Sequence, residues 1–179
     1  MTVYDRIIDK YYGKDSRLRH LLTVHSRLVA DKALLCARKH SLDADSGFIE
    51  EAAMLHDIGI IRCNAPDILC NGDLPYICHG TEGRRMLEAE GLPRHALVCE
   101  RHTGAGLTVD NIISQGLPLP HRDMTPQTLE EKLICYADKF YSKSGDFTRE
   151  KPIEKVILSM SKHGEDTLER FMALHRMFG

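Results

Sequence analysis

The sequence predicts an all-α fold, a helical bundle of about seven to nine helices. Three observations carry this expectation. Apolar residues recur with a helical period, start and stop signals for helices punctuate the chain, and convincing strand alternation is absent.

Residues 1–12 read as a flanking helix. Residues 16–40 place Leu18, Leu21, Leu22, His25, Leu28 and Val29 on one stripe, the spacing of an amphipathic helix. Residues 46–58 follow, with Phe48, Ala52, Met54 and Leu55 apolar and Gly59 read as a left-handed terminator. A third pattern runs from about Gly80 to Glu90 and is ended by Gly91 and Pro93. A fourth runs from Pro93, acceptable in a first turn, to about His102, with Gly104 as its stop. Thr125-Pro126 reads as the clearest start: an N-cap hydroxyl, proline at the first helical position, then Glu130 and Glu131 near the positive end. That helix carries Leu129, Leu133, Ala137 and Phe140 to about Ser142, and residues 152–162 and 165–178 add two flanking helices. Two connections, 60–78 and 103–124, are long and rich in Gly, Pro, Asn and Asp. Loops of that kind are functional or mobile, so the second, interrupted by a short helix at Val109–Ser114, is expected to act as a flexible lid that sets substrate choice.

The chain has 179 residues, the size of one ordinary domain, and residues 1–179 are read as a single unit. A formal net charge of −2 argues against holding nucleic acid by bulk electrostatics. Asp5, Arg6, Asp9 and Lys10 deny the N-terminus the apolar core of a secretory signal. No stretch approaches the roughly 18 apolar residues of a membrane span, so a cytoplasmic location without membrane partners is expected. The six cysteines are then free thiols. A zinc knot from Cys63, Cys70, Cys78 and His79 is disfavoured, because structural sites draw on cysteine pairs with about two to four intervening residues and none is present.

Histidine placement matters more. His25 interrupts a leucine-rich stripe, where a lone histidine is more often a hydrogen-bonded core residue than a ligand. His56-Asp57 closes a helix, and neighbouring helical positions point about 100° apart, so both can approach one ion. Asp138 lies in Cys135-Tyr136-Ala137-Asp138, an apolar context that demands a strong partner, either a divalent cation or a basic side chain.

Taken together, the order His25, His56-Asp57, His79, His102, Asp138 resembles the HD superfamily, with the HDIG variant written at His56–Gly59. The resemblance covers a core of about residues 17–141. It implies one metal site from His25, His56, Asp57 and Asp138, and a second from His79 and His102, bridged by Asp57. Asp57, His79 and His102 are implied as the catalytic set. The segment from Thr128-Leu129-Glu130-Glu131-Lys132 to Ala137-Asp138 also resembles the symmetrical dinucleoside-tetraphosphate hydrolases of that superfamily.

The implied activity is a metal-dependent phosphohydrolase acting on a small phosphate substrate, a nucleotide above all. Its cofactor would be two transition-metal ions, Fe, Mn, Co, Ni or Zn, which suit mixed imidazole and carboxylate donors. Such ions lower the pKa of bound water to about 7 and neutralise phosphoryl oxygens. Many relatives carry a lysine soon after HDIG, where this chain has Ile60-Ile61. Arg62, Arg101, Lys139 and His121 are the candidates for substrate charge, with Arg122 beside the last. No phosphate loop, nucleophile elbow or Cys-x-x-Cys pair is present. Two alternatives keep the same ligands: a di-iron oxygenase of the HD fold, and a metal-containing regulatory module that binds a ligand with little turnover.

Overall fold

Ser16 starts the longest helix by accepting the Arg19 amide on its hydroxyl, which satisfies one of the unpaired donors of the first turn. In the computed structural model, which describes residues 1–13 and 16–179, that helix is α2 (Arg17–Lys39), about 34 Å long. Around it lie α1 (Val3–Tyr12), α3 (Ser46–Leu55), α4 (His79–Ala89), α5 (Pro93–Arg101), α6 (Val109–Ser114), α7 (Leu129–Asp138), α8 (Ile153–Ser161) and α9 (Glu165–Phe178). The only sheet among the described residues is a ribbon of β1 (Asn64–Ala65) and β2 (Cys70–Asn71), antiparallel, with Asn64 opposite Asn71. The fold is therefore all-α, with nine helices among the described residues.

Helix α2 belongs to two apolar cores. Its C-terminal half gives Val29, Ala30 and Ala33 to a core with Ile49 and Ala52 of α3, Leu133 and Ala137 of α7, and Phe171 and Phe178 of α9. Its N-terminal half gives Leu22 to a second core with Ile7 and Ile8 of α1, Leu55 of α3, Leu87 of α4 and Cys99 of α5. Each fully buried Leu, Ile or Phe contributes roughly 1.5–3 kcal/mol by leaving water. His25 sits between Leu22 and Val29, at the junction of the cores. A smaller cluster of Cys78, Ile112, Leu119 and Met124 underlies the 103–124 connection.

Two local expectations are corrected. Gly59 is not a left-handed terminator; α3 ends at Leu55, and Gly59 lies in a 3₁₀ turn, Ile58–Arg62, without positive φ. Its role is steric, because a Cβ there would overlap the His79 carbonyl oxygen and the Gly83 nitrogen. Thr125-Pro126 does not start α7 either. Thr125 bonds Asp123 through its amide (3.0 Å) and through its hydroxyl, while Thr128 is the N-cap, accepting the Glu131 amide at 3.2 Å. The 103–124 connection lines one side of the bundle and is tied to it at several points. Arg122 pairs with the buried Glu100, Leu107 and Met124 exchange backbone hydrogen bonds, and Arg170 donates to the carbonyls of Ala105 and Gly106.

From the N-terminus, the Tyr12 hydroxyl donates to the Ile58 carbonyl at 2.7 Å and accepts the Ile61 amide at 3.2 Å. It braces the 3₁₀ turn directly after Asp57.

Candidate metal centre

Three of the histidines are held in one way. His56 caps α3, His79 opens α4 and His102 caps α5, and each Nδ1 reaches the carbonyl three residues earlier. The partners are Ala53 at 2.6 Å, Tyr76 at 2.7 Å and Cys99 at 2.7 Å. A carbonyl only accepts, so each Nδ1 carries the proton and each Nε2 is turned inward as a lone pair or a protonated donor. His25 differs: it lies in mid-helix and its buried Nδ1 has no partner.

The inward atoms form two groups joined at Asp57. In the first, His25 Nε2 is 3.0 Å from Asp138 Oδ1 and 3.2 Å from Asp57 Oδ2, while His56 Nε2 is 3.2 Å from Asp57 Oδ2. In the second, Asp57 Oδ1 lies 3.6 Å from His79 Nε2 and 3.3 Å from His102 Nε2. Every one of these residues is buried. The donor set suits divalent cations. Asp57 Oδ1 is buried without a hydrogen bond, and beside it the two acceptor Nε2 atoms of His79 and His102 face each other at 3.1 Å. Lone pairs so placed repel, and a cation among them turns the repulsion into coordination.

Charge states separate the groups. Burial, helped by the neighbouring His102, pushes His79 down to about 3, and burial lowers His102 as well, so both stay neutral. Burial also opposes charge on His56, but Asp57 and then Asp138 override it and raise His56 to about 9. Asp57 is held well below the carboxylate range: burial works against ionisation, and Lys143 followed by His56 outweighs it. Lys139 and Lys143 do the same for Asp138.

The cluster opens on a cavity of about 380 Å³ that reaches His79 and Asp138. Lys139, Lys143 and Lys151 stand on its wall with Ile77, Leu107, Leu117 and Met160. Of the four candidates for substrate charge, only Lys139 is here, its Nζ 2.9 Å from the His102 carbonyl and 2.7 Å from Asp138 Oδ2. Arg62 is exposed on a separate cavity with Tyr11 and Glu82. Arg101 is paired at 3.0 Å with the buried Glu131, and His121 is exposed and absent from the cavity wall. Arg122 is committed to Glu100. Sequence reasoning missed Lys143, whose Nζ lies 2.7 Å from Asp57 Oδ2, together with Lys151 and His163. All six cysteines are free and buried, and among the described residues none joins a metal-ligating group.

A helical bundle with a buried imidazole–carboxylate cluster at the seam of two cores is a helical domain whose clustered residues could hold metal ions. Residues 22–142 match the HD domain family, and the chain belongs to it. Two relatives are named tRNA (cytidine(56)-2'-O)-methyltransferase. That of Thermoplasma volcanium is 28% identical over 172 residues, 95% of this chain and 44% of its own length. That of Picrophilus torridus is 31% identical over 137 residues, 76% of this chain and 34% of its own. The chain thus spans less than half of either. An uncharacterized protein of Methanocaldococcus jannaschii is 33% identical over 122 residues, 68% of this chain and 63% of that protein. Among solved structures, the HD domain of the L. monocytogenes phosphodiesterase PgpH in complex with cyclic-di-AMP has the same fold. It aligns with a TM-score of 0.56 at 16% identity, covering 94% of this chain and 92% of that one. Among the described residues no helix is long and apolar enough to cross a membrane.

Proposed function

We propose that this chain is a metal-dependent phosphohydrolase acting on a nucleotide or a similar small phosphate ester or anhydride. The observation that carries the reading is the two-group histidine–aspartate cluster opening on a lysine-walled cavity. His25, His56, Asp57 and Asp138 hold one ion, and Asp57, His79 and His102 the other, drawn from Fe, Mn, Co, Ni or Zn. Bound there, the ions supply a water-derived nucleophile at neutral pH and a Lewis acid for phosphoryl oxygens.

The chain's own residues do the rest. The carbonyls of Ala53, Tyr76 and Cys99 fix the imidazoles in the tautomer that presents Nε2. Lys139 and Lys151 set positive charge on the wall to orient the phosphoryl group. Leu107, Leu117 and Met160 exclude water and cover an apolar portion such as a base. In the reaction the oxygen of water bonds to phosphorus, the bond to the leaving oxygen breaks, and the proton of water ends on the departing group.

Dinucleoside tetraphosphates and cyclic dinucleotides belong in the substrate panel. The first come from the resemblance at 128–138, the second from the ligand of the PgpH domain. The methyltransferase relatives weigh less, since more than half of each lies outside the match. We place residues 1–179 in one working unit, because Met160, His163 and Thr167 wall the cavity from outside the matched span. The test is elemental analysis of protein purified without chelators, followed by anaerobic turnover of the panel with Mn, Co or Ni. Phosphate release or ester cleavage is expected. Activity only with iron and oxygen, or none with any metal, overturns the reading.

A further inference from the structure

Among the described residues, Lys143 is the lysine that pairs with Asp57, the aspartate shared by both ligand groups. It stands in the irregular segment between α7 and α8, yet its side chain is 13% exposed and its ammonium lies inside the first ligand group. Nζ is 2.7 Å from Asp57 Oδ2, the oxygen that His25 and His56 also face, and 3.9 Å from Asp138 Oδ1. A divalent cation coordinated by that oxygen would meet the ammonium at close range in a buried setting, where like charges repel strongly. Both cannot stay.

The stem of Lys143 offers an alternative position. With Tyr76, Tyr141 and Lys151, Lys143 lines the cavity of about 380 Å³ and also a second one of about 390 Å³ on its other side. It therefore stands on a partition, on four rotatable carbons, with open space beside it. Lys139 stands on the wall of the first cavity, and among the described residues Lys151 has no carboxylate within ion-pairing distance. Lys139 is already paired with Asp138, so an ammonium leaving Asp57 joins Lys151 as a second cation on the wall without a carboxylate of its own, a pair that an anion would balance.

We infer that Lys143 is an exchangeable cation: it neutralises Asp57 and Asp138 in the metal-free chain, is displaced when metal binds, and then contacts the anionic group of the substrate. The inference rests on the metal-dependent reading above. It adds a built-in coupling, in which loading the metal creates the anion site.

Amine acylation of the wild-type chain, read residue by residue by mass spectrometry, tests this without any variant. Mn²⁺ should expose Lys143 to reagent, inorganic phosphate added to the Mn²⁺-loaded chain should protect it again, and exposed Lys155 on α8 should not change. A Lys143→Met chain supplies the second arm. It should bind Mn²⁺ about tenfold more tightly than wild type, one decade in Kd, having lost the competing charge. Its Mn²⁺-loaded form should bind inorganic phosphate about tenfold more weakly, having lost a charged donor. Mn²⁺ binding with unchanged Lys143 reactivity, or with equal or weaker Mn²⁺ affinity in Lys143→Met, overturns the inference and leaves the hydrolase reading standing. Failure of both chains to bind Mn²⁺, Fe²⁺, Co²⁺, Ni²⁺ or Zn²⁺ overturns both. Metal-gated exposure of Lys143 in a chain that hydrolyses nothing supports the inference and counts against the hydrolase.

Discussion

The two ligand groups share Asp57 and differ in how everything else is held. His79 and His102 belong to helix ends packed on the turn after Asp57, each ring pinned by a carbonyl three residues away. Close backbone contact among Gly59, Gly80, Gly83 and Cys99 sets their spacing. His25 and Asp138 come from α2 and α7, 113 residues apart in sequence, and meet only because both helices pack into the same core. The second group is thus built by local backbone geometry, the first by the whole bundle. Their charge differs in the same direction. The first gathers two carboxylates, a raised histidine and an ammonium, whereas the second has two neutral imidazoles and one carboxylate oxygen.

Four changes would break or sharpen that contrast. The largest effect is expected from Asp57→Ala, which removes the only shared residue and should abolish binding of both ions. A variant that keeps two metals per chain by elemental analysis would refute the bridge. Next, Asp138→Ala should lose the first ion alone and His79→Ala the second alone. Each should cost the affected site about 100-fold or more in affinity. Equal losses at both sites in either variant would mean the groups are not separable.

Proton release should differ as well. At pH 7 the first ion must displace a proton from His56, raised to about 9, while the second meets imidazoles that are already neutral. Calorimetric titration in buffers of different ionisation enthalpy should show about one proton for the first ion and none for the second. The same shifts have signs in stability. His56 stabilises the metal-free chain below its ordinary 6.5, a contribution lost as pH rises through about 9. His79, lowered to about 3, destabilises the chain as pH falls below 6.5. Melting of chelator-treated protein across pH should decline on both sides. A flat profile would show that the two groups do not titrate as described.

The smallest effect concerns the wall. Arg170→Ala removes donors to the carbonyls of Ala105 and Gly106 and to Asn111, freeing the 103–124 segment. A KM change of a few-fold with unchanged metal content is expected. Lost metal would instead make the segment part of the centre.

These contrasts also explain what was legible in sequence. Histidines and aspartates in family order announce themselves, because few other arrangements place six such residues in apolar surroundings. Lys143 did not, since a lysine in an irregular stretch looks like any solvated charge and only tertiary packing turns it inward. Gly59 was legible as special but not for the right reason: a left-handed stop and a close backbone crossing both require glycine. Thr128 carried its signal openly, a threonine three residues before Glu131, but Thr125-Pro126 carried a similar one. Side-chain bonds to Asp123 settled the choice.

Tyr12 has a consequence for where this domain can be cut. Residue 12 precedes the family match, which begins at residue 22, so a trimmed version starting there would retain all six candidate ligands. It would also lose the phenol that clasps the Ile58 carbonyl and the Ile61 amide, one turn from the shared aspartate. Such a fragment would have every part of the centre and a loosened hinge beneath it. The residues that brace the candidate centre thus extend beyond the span that matches the family, to an aromatic hydroxyl that is not itself a candidate ligand.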